Sequence, residues 1–464
     1  MNGATLETLT DLCLQYRAIV LSFSPQRLQI ATENPPNTEM MAALRFVTPA
    51  RIDIERWSSA RLQQYARQHK IPWLAELADV NEAGATAQVD ALLQLALQRH
   101  ASDIHLEPQT DALRLRLRID GVLQVITLNS QHSPAALISR LKILAGLDIA
   151  ERRLPQDGQF TIPIQGESTS FRLSTLPTLF GEKAVIRLLE SHHQAVSLDK
   201  LGMSTRALTR FRQALALPQG LILVTGPTGS GKTFTLYSRL NWLNSPERNI
   251  CSVEDPIEIP LNGINQTQTH AKTGLGFSRV LRALLRQDPD VIMLGEIRDT
   301  ETAEITIQAA QTGHLVLSTL HTNSTTETIT RLRQMGVASY LLASALKLVI
   351  SQRLVRRLCE HCRQQAEAIA HFPPSLWPGT VQNWQAAGCE HCHAGYHGRL
   401  ALFELLYITP AIQNAIMMEQ DAETIGQLAS KQGAPTLFAE GLRLVNRGET
   451  TLAELYRVIG LPHV

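Results

Sequence analysis

One stretch decides the fold of this chain: Gly226-Pro227-Thr228-Gly229-Ser230-Gly231-Lys232-Thr233. An apolar run, residues 221–225, leads into it, and a helix-prone segment with leucines at helical spacing leaves it. Strand, glycine-rich loop and helix form the context of a P-loop, whose backbone N–H groups surround a polyphosphate. In such a loop Lys232 reaches the β- and γ-phosphates, and the Thr233 hydroxyl is a ligand of Mg²⁺. The stretch therefore predicts a site for a nucleoside triphosphate with its Mg²⁺.

Size and charge limit what the chain can be. Its 464 residues exceed one ordinary core and predict about three domains. A formal net charge of +1 argues against a dedicated nucleic-acid binder. No apolar run approaches the roughly 18–20 residues of a membrane span, and no signal-peptide pattern opens the chain. We therefore expect a cytoplasmic protein that reaches any membrane through partners and does not bind nucleic acid.

The first part of the chain divides into two modules joined by a linker. Residues 1–78 alternate helical and strand-like pieces without catalytic residues, so we predict a small N-terminal α/β domain for docking. Residues 79–87 are mostly small and polar, which predicts a linker. Residues 88–190 form a second module, which opens with a helix and continues with strands.

Arginines are prominent in the strands of this second module. Arg114, Arg116 and Arg118 share one face of an alternating strand. They face either solvent, as charged runs usually do, or an anionic partner. Arg172 and Arg187 lie singly in otherwise apolar strands, where arginine is a poor filler, so we expect an anionic partner for both.

The region 200–355 carries the predicted chemistry. Its apolar runs alternate with helical segments, which predicts a mostly parallel sheet with functional loops at the carboxyl ends of its strands. The runs are residues 221–225, 250–253, 291–294 and 315–319.

Acidic residues follow two of these strands. Glu254, Asp255 and Glu258 come directly after the second run, and Gly295-Glu296 follows the third. Glycine 295 stands where many P-loop enzymes place an aspartate, so Mg²⁺ must depend on Thr233, phosphate oxygens and water. Glu296 is the candidate for orienting or deprotonating the attacking water, with a structural role near a helix N-terminus as the alternative.

Two histidines flank the fourth run, one at each end, so both cannot face the same phosphate. His321, at the carboxyl end, is placed to sense a γ-phosphate. His314, at the other end, is predicted to be structural.

Four of the six cysteines form two CxxC pairs at positions Cys359, Cys362, Cys389 and Cys392. Four thiolates at this spacing satisfy tetrahedral Zn²⁺ in a closed structural site. Histidines within or beside the pairs are alternative ligands, namely His361, His391 and His393. A redox pair or free thiols are the other interpretations.

Two regions complete the chain after the core. We assign residues 356–400 to a tetracysteine zinc module. Residues 401–464, mainly helical from Leu402, are expected to form a C-terminal packing or interface region without chemistry of its own.

Five motifs occur in an order that is typical of one family. They are Ala101-Ser-Asp-Ile-His105, the P-loop at 226–233, the acidic box at 254–258, Gly295-Glu-Ile-Arg-Asp299, and Thr312-Gly-His314 with His321-Thr-Asn323. Together they resemble the ATPases of type II secretion and type IV pilus assembly, from about residue 88 onward and more faintly over residues 15–78. The tetracysteine insert is similar to the assembly branch of that family, and the short length is similar to members of the HofB type.

The resemblance implies a fold and an oligomer. The fold is a RecA-like P-loop core with a mostly parallel sheet, preceded by a PAS-like α+β module and the small α/β domain, and followed by the zinc insert and the helical C-terminal region. The oligomer is a homo-hexamer that hydrolyses ATP. Glu296 is then the general base with Glu254 in a supporting role, and Arg172 and Arg187 fall on the arginine-finger positions of the family.

The resemblance also implies partners. In the family these are an inner-membrane platform protein and a cytoplasmic docking protein, so we expect a cytoplasmic ATPase that is peripherally recruited to the inner membrane. It would drive pilin or pseudopilin assembly, or protein secretion. Two alternatives stay open at this point: a nucleotide-gated scaffold that does not hydrolyse ATP, and a nucleic-acid translocase.

Overall fold

A computed structural model gives the structure of the chain. It describes residues 9–10, 12–13, 18–32, 38–57, 61, 84–110, 112–126, 134–164, 166–189, 198–270, 273–367, 372–373 and 376–461. These residues form two compact units, Met1–Leu188 and Leu189–Val464. The predicted linker 79–87 lies outside the described residues up to position 83, and residues 85–87 already belong to a helix.

The N-terminal part of the first unit is a small α/β fold, as predicted. β1 (Ala18–Ser24) pairs antiparallel with β2 (Arg27–Thr32), and β2 pairs parallel with β3 (Arg51–Arg56). α1 (Thr38–Val47) lies in the connection from β2 to β3, because a parallel pair needs a crossover rather than a tight turn.

The rest of the first unit is an α+β module built on a six-stranded sheet, with strand order β6-β5-β4-β9-β8-β7. Leu115 and Leu117 alternate with arginines along one strand, so their side chains reach the helices while the arginines point to the other face. The strands are β4 (Ala101–Pro108), β5 (Leu113–Ile119), β6 (Val122–Ile126), β7 (Gln156–Ile164), β8 (Glu167–Thr178) and β9 (Gly181–Leu189), and the helices are α2 (Ala85–Gln98) and α3 (Pro134–Leu144).

A seven-stranded sheet forms the centre of the second unit, with strand order β12-β11-β13-β14-β10-β15-β18. Its neighbours pair parallel except β15 and β18, which pair antiparallel, so the predicted mostly parallel sheet is confirmed. The strands are β10 (Gly220–Thr225), β11 (Ile250–Glu254), β12 (Asn265–Gln268), β13 (Val291–Leu294), β14 (Leu315–Leu320), β15 (Leu346–Leu358) and β18 (Tyr396–Tyr407).

Helices cover both faces of this sheet, which explains why β10 is buried along its whole length. Leu221 and Leu223 belong to the hydrophobic cluster on one face, and Ile222 and Val224 to the cluster on the other. The helices up to the end of the core are α4 (Thr205–Leu215), α5 (Lys232–Leu243), α6 (Phe277–Leu284), α7 (Thr300–Gln311), α8 (Thr325–Gln334) and α9 (Ser339–Ala345).

The sheet extends past the predicted end of the core at residue 355. β18 pairs along nearly all of β15, so residues 402–407, which we expected to be helical, are a strand of the core. An antiparallel strand can pair with its neighbour at the edge of a sheet even when a long segment separates the two strands in the sequence. The apolar run of β18 is buried by this pairing, and its pattern alone does not distinguish a strand from a buried helix.

The segment between β15 and β18 carries the cysteines and a short antiparallel pair, β16 (Arg363–Gln365) with β17 (Trp384–Ala386). Beyond β18 the chain is helical, as expected for the last region. Glu454 anchors the last helix to the sheet, because both of its carboxylate oxygens accept hydrogen bonds from Arg356 in β15. The helices are α10 (Pro410–Met417), α11 (Ala422–Lys431), α12 (Leu437–Asn446) and α13 (Leu452–Ile459).

The contribution of core packing to the stability of the first unit can be tested at Phe171. Its ring is fully buried and stacks on Phe160, with 5.2 Å between the ring centroids. We expect Phe171→Ala to lower the free energy of unfolding by about 3–5 kcal/mol, because the substitution removes apolar contacts and leaves a cavity. Urea unfolding followed by circular dichroism measures the loss. Leu179→Ala is the control, since that side chain is 90% exposed, and equal shifts for both variants would contradict the packing described here.

Candidate active site

The phosphate-binding loop lies between β10 and α5, at the carboxyl edge of the sheet. Gly231, the N-cap of α5, has a φ of 84°, and Gly226 has a φ of 148°, conformations that favour glycine. Space is equally restrictive. A Cβ on Gly226 would lie 2.5 Å from the carbonyl oxygen of Gln352, and a Cβ on Gly231 would lie 2.9 Å from Nε2 of the same residue. Strand β15, which carries Gln352, therefore fixes the path of the loop.

Lys232 is buried against the loop that it serves. Its Nζ donates hydrogen bonds to the carbonyl oxygens of Gly226, at 2.8 Å, and Pro227, at 3.0 Å. Burial lowers the pKa of Lys232 to about 8, with Glu296 raising it and Arg353 lowering it further. A phosphate beside Nζ would favour the charged form and offset the burial. Lys232 is thus placed as a ligand of a polyphosphate.

The first turn of α5 and the residue before its N-cap provide the other groups of the loop. Ser230 Oγ is buried without a hydrogen-bond partner among the described residues, whereas Thr233 is exposed. Thr235 Oγ1 donates to Oε1 of Gln352 at 2.7 Å, which ties the helix to β15. A buried hydroxyl without a partner, beside the free N–H groups of a helix N-terminus, fits a polyphosphate, and the exposed Thr233 hydroxyl fits Mg²⁺.

Glu296 and His321 follow neighbouring strands and meet at the same edge of the sheet. Oε2 of Glu296 lies 3.3 Å from Nε2 of His321, and Oε1 accepts a hydrogen bond from Nε of Arg298 at 2.6 Å. Arg298 also lies 3.3 Å from Asp255, and the hydrogen bond that Arg298 donates to Glu296 is the main reason that the pKa of Arg298 is raised. The structure thus brings Glu296 and His321 into contact and shows that Arg298 also binds Glu296.

Glu254 is buried at the end of β11 and is held by neutral donors. Its carboxylate accepts hydrogen bonds from the hydroxyl of Tyr237, from Ser252 Oγ at 2.6 Å and from Gln266 Nε2 at 3.0 Å. Burial, together with this carboxylate, raises the pKa of Tyr237. Because Tyr237 lies on α5, Glu254 connects β11 to the helix that follows the P-loop.

The packing around Gly295 explains why this position does not hold the aspartate that many P-loop enzymes have there. A Cβ on Gly295 would lie 3.3 Å from the carbonyl oxygen of Val253 and 3.5 Å from the Cα of Glu254. The close packing of β13 on β11 therefore favours glycine at this position.

His314 lies at the opposite end of β14, where its Nδ1 is 3.0 Å from the carbonyl oxygen of Ala309, a local contact with the end of α7.

Several residues at this edge were not assigned from the sequence. Tyr237, Arg298, Gln352 and Arg353 all contact the groups described above or the loop itself. Gln352 and Arg353 lie in the middle of β15, so the rule that polar residues at strand ends form the site does not find them. The signal that could have found them is a pair of polar residues within a mostly buried strand. Arg298 follows Glu296 by two positions in a motif that we quoted without giving it a role.

The arginines of the first unit lie on both sides of an acidic strand, β4. Arg116 of β5 donates to Glu107 at 2.6 Å, and Arg118 lies 3.5 Å from Asp103. Burial opposes the ionisation of Glu107, but hydrogen bonds from Arg116 and Lys183 outweigh it and hold the pKa of that carboxyl at about 2. Of the two possibilities that the sequence left open, Arg116 and Arg118 face carboxylates of their own sheet, whereas Arg114 is exposed.

Arg187 and Arg172 lie on the adjacent strands β9 and β8, equally far from the turn that joins them. Nε of Arg187 donates to Asp103 at 2.9 Å, while 59% of the side chain remains exposed. Arg172 is exposed and has no ion pair among the described residues. The expected anionic partner is therefore confirmed for Arg187, whose Nε binds Asp103, whereas none is found for Arg172 among the described residues. The exposed part of the Arg187 guanidinium and the exposed guanidinium of Arg172 can each still bind an anion.

The four predicted cysteines form one cluster in the second unit. Their Sγ atoms all lie within 4.8 Å of one another, and the pairs Cys359–Cys389 and Cys362–Cys392 are each 3.7 Å apart. Four sulfurs around one Zn²⁺ at about 2.3 Å would be about 3.8 Å apart in a regular tetrahedron. The side chains present therefore fit a structural zinc ion.

A parallel sheet with these groups at one edge is arranged for the binding and cleavage of a nucleoside triphosphate. The class of protein that the fold and the site define is a P-loop ATPase with a RecA-like core.

Comparison with known proteins gives the family. The type II/IV secretion system protein family matches residues 79–457, and the MshEN domain matches residues 5–69. The protein transport protein HofB homolog of Escherichia coli (strain K12) is 53% identical over 98% of both chains. The type IV pilus assembly ATPase PilB of Acinetobacter baylyi (strain ATCC 33305 / BD413 / ADP1) is 40% identical over 96% of this chain and 82% of its own length. Among solved structures, the pilus retraction motor PilT with bound ADP is 27% identical, with a TM-score of 0.54 over 80% of this chain and 96% of that chain.

This chain belongs to the type II/IV secretion system protein family. The resemblance found in the sequence is confirmed, and so is the prediction of an ATPase of secretion and pilus assembly.

The contact between the P-loop and β15 gives a direct test of the site. We expect Gly226→Ala to abolish measurable ATP binding, because the added Cβ overlaps the backbone oxygen of Gln352 and forces the loop out of position. Isothermal titration calorimetry with ATP and Mg²⁺ measures the loss. Gly276→Ala, where nothing lies within 4 Å of the added Cβ, is the control and should bind as the wild type does. Normal binding by Gly226→Ala would show that β15 does not fix the loop.

Proposed function

We propose that this chain is the hexameric ATPase that powers the assembly of pilin or pseudopilin subunits in a type IV pilus or type II secretion machine. The proposal depends on one observation: Lys232, Glu296 and His321 converge beside a loop whose geometry accepts a polyphosphate. The relatives support it by name, since PilB of Acinetobacter baylyi is a type IV pilus assembly ATPase.

The side chains of the second unit divide the work of ATP hydrolysis. The loop N–H groups and Lys232 bind the phosphates, and Thr233 is the protein ligand of Mg²⁺, which neutralises phosphate charge when bound. Glu296 orients the attacking water and accepts its proton, and Arg298 and His321 hold its two oxygens in place. Glu254 supports the site through Tyr237, which fixes α5 relative to β11.

Arg172 and Arg187 complete the proposed site from a neighbouring subunit. They lie on the first unit, whose described residues contain no phosphate-binding loop, and part of each guanidinium is exposed. An arginine that stabilises the transition state of phosphoryl transfer typically raises the rate about 10³–10⁵-fold. Asp103 orients Arg187 through Nε and leaves the other nitrogens for the phosphates. Opening and closing of this interface would then move the membrane platform.

A mixture of two inactive variants tests both the hexamer and the arginine in trans. Glu296→Gln removes the base, and Arg187→Ala removes the finger, so each variant alone should lose ATP hydrolysis. Mixed in equal amounts and reassembled, they should regain about one quarter of the wild-type rate, because a random ring pairs an intact base with an intact finger at about one interface in four. Phosphate release from Mg-ATP is the measurement, made over a range of protein concentrations.

Four outcomes would contradict the proposal. An inactive mixture means that the arginine does not act between subunits. A wild-type rate per chain that is independent of concentration means that the site does not need an oligomer. Tight ATP binding by the wild type without phosphate release favours the scaffold alternative. Activity that appears only with DNA and falls steeply with salt favours the translocase.

We also propose that the cysteine cluster holds one structural Zn²⁺. The ion would close the segment between β15 and β18, two strands that pair beside the P-loop strand. A closed shell of four thiolates has no open position for catalysis, so the zinc supports the sheet and takes no part in hydrolysis.

Metal analysis of the purified chain tests the zinc site. We expect about one zinc ion per chain, and none after Cys389→Ser combined with Cys392→Ser, because two ligands cannot hold the ion in a closed shell. The double variant should also unfold at a lower temperature. Cys13→Ser is the control, since Cys13 belongs to the N-terminal domain and not to the cluster. Zinc retained in full by the double variant would rule the site out.

The place of action follows from the same proposal. Among the described residues no helix is long and apolar enough to cross a bilayer. We propose that the chain works in the cytoplasm and reaches the inner membrane through a platform protein and a docking protein. The N-terminal α/β domain, matched by the MshEN domain, is the candidate for the docking contact.

A further inference from the structure

Arg353 crosses the end of the P-loop strand. It lies on β15, which pairs with β10 on one side, while β14 pairs with β10 on the other. Its Nη2 donates to the carbonyl oxygen of Asn323, in the loop after β14, at 2.8 Å. Its Nη1 donates to the carbonyl oxygen of Gln352 at 3.0 Å and lies 3.1 Å from the place of a Cβ on Gly226. One guanidinium therefore lies beside Gly226 of the P-loop and donates a hydrogen bond to the loop that follows His321.

The charge of Arg353 is buried without a carboxylate partner. The residue is only 6% exposed, and its hydrogen bonds all go to neutral oxygens. Within the described part of the chain no carboxylate lies at ion-pair distance from it. Burial lowers the pKa of Arg353, opposed by the more distant Glu404 and Glu327. A buried cation of this kind is costly unless an anion reaches it.

Lys232 is a second buried cation at the same place. Each of the two charges lacks an ion pair with a described carboxylate, and the charge of Arg353 disfavours the protonation of Lys232. Burial disfavours the charge of both residues, although Glu296 favours the charged form of Lys232, so two buried cations at the carboxyl edge of a sheet make a site that favours negative charge. The polyphosphate of ATP supplies that charge, and a nucleotide with fewer phosphates supplies less of it.

The contact with Asn323 connects this charge to hydrolysis. Ser351 Oγ, also on β15, donates to the same carbonyl oxygen at 3.2 Å. Asn323 follows His321 by two residues, and His321 contacts Glu296. The position of Arg353 is therefore transmitted along a short loop to the proposed general base.

We propose that Arg353 is a positioning residue that couples the phosphates of ATP to the base Glu296. Its charge favours the nucleotide with more phosphates, and the hydrogen bonds from its Nη2 to Asn323 hold the loop of His321 and Asn323 at the distance that hydrolysis needs. This inference rests on the proposed function, because it assigns a further role within the same site.

Two substitutions separate the charge from the geometry. Arg353→Met removes both, and Arg353→Lys keeps the charge but cannot donate to Gln352 and Asn323 with one planar group. We expect Arg353→Met to bind ATP about 10–100-fold more weakly while ADP binding changes less, as for the loss of a hydrogen bond or contact to a charged group. We expect Arg353→Lys to bind ATP within a few-fold of the wild type but to hydrolyse it at least about tenfold more slowly. Kd values for ATP and ADP and kcat are the measurements.

Arg357→Met is the matched control. Arg357 lies on the same strand, pairs with Glu360 at the surface and is 48% exposed. Its loss therefore removes one positive charge from β15 without removing a contact of the site. It should bind and hydrolyse ATP as the wild type does. Melting temperatures of the nucleotide-free variants reveal any general loss of stability.

The outcomes divide clearly. If Arg353→Met binds ATP as tightly as the wild type, or if Arg353→Lys has the wild-type kcat, the inference is wrong. If both variants lose ATP and ADP binding equally and melt at lower temperature, Arg353 has only a structural role and the coupling is again refuted. A wild-type chain that does not bind ATP refutes the proposed function itself, whereas normal wild-type hydrolysis with unaffected variants refutes the role of Arg353 alone.

Discussion

The second unit depends on the close approach of the P-loop backbone to strand β15. Gly226 and Gly231 leave no space for a side chain between the loop and Gln352, and Thr235 binds the same glutamine from the helix. The strand that shapes the phosphate site also pairs with β18 and continues into the cysteine segment. A displacement of β15 therefore changes the phosphate site and the C-terminal half of the unit together, because the packed interior does not deform locally.

Charge is distributed in opposite ways in the two units. On the sheet of the first unit, Asp103 and Glu107 neutralise the arginines and the lysine of the strands on either side. At the edge of the second unit, Lys232 and Arg353 are buried without such partners in the part of the chain that the structure describes. Asp103 and Glu107 thus neutralise much of the charge of this sheet, while Arg172 and part of Arg187 remain exposed to an anion. The second unit is arranged to receive one.

Sequence patterns predicted the elements whose signal is local. The P-loop, the four parallel strands and the cysteine pairs each have a short spacing that follows from backbone geometry or from metal coordination. The strand β18 was missed, because no local periodicity of the sequence predicts that a chain returns to the edge of a sheet. The carboxylates that pair with Arg116, Arg118 and Arg187 were not identified from the sequence for a related reason, since β4 pairs with β5 and β9 only after the sheet has formed.

The sequence by itself determined the class of this protein, because a glycine-rich loop between an apolar strand and a helix admits few structures and few ligands. It also determined which strand ends carry Glu254, Glu296 and His321. Only the tertiary structure decided that Glu296 contacts both His321 and Arg298, and that Gln352 and Arg353 reach across from β15 to the P-loop. These contacts join residues from different strands, so their distances depend on strand order and register, which no single segment of the sequence specifies.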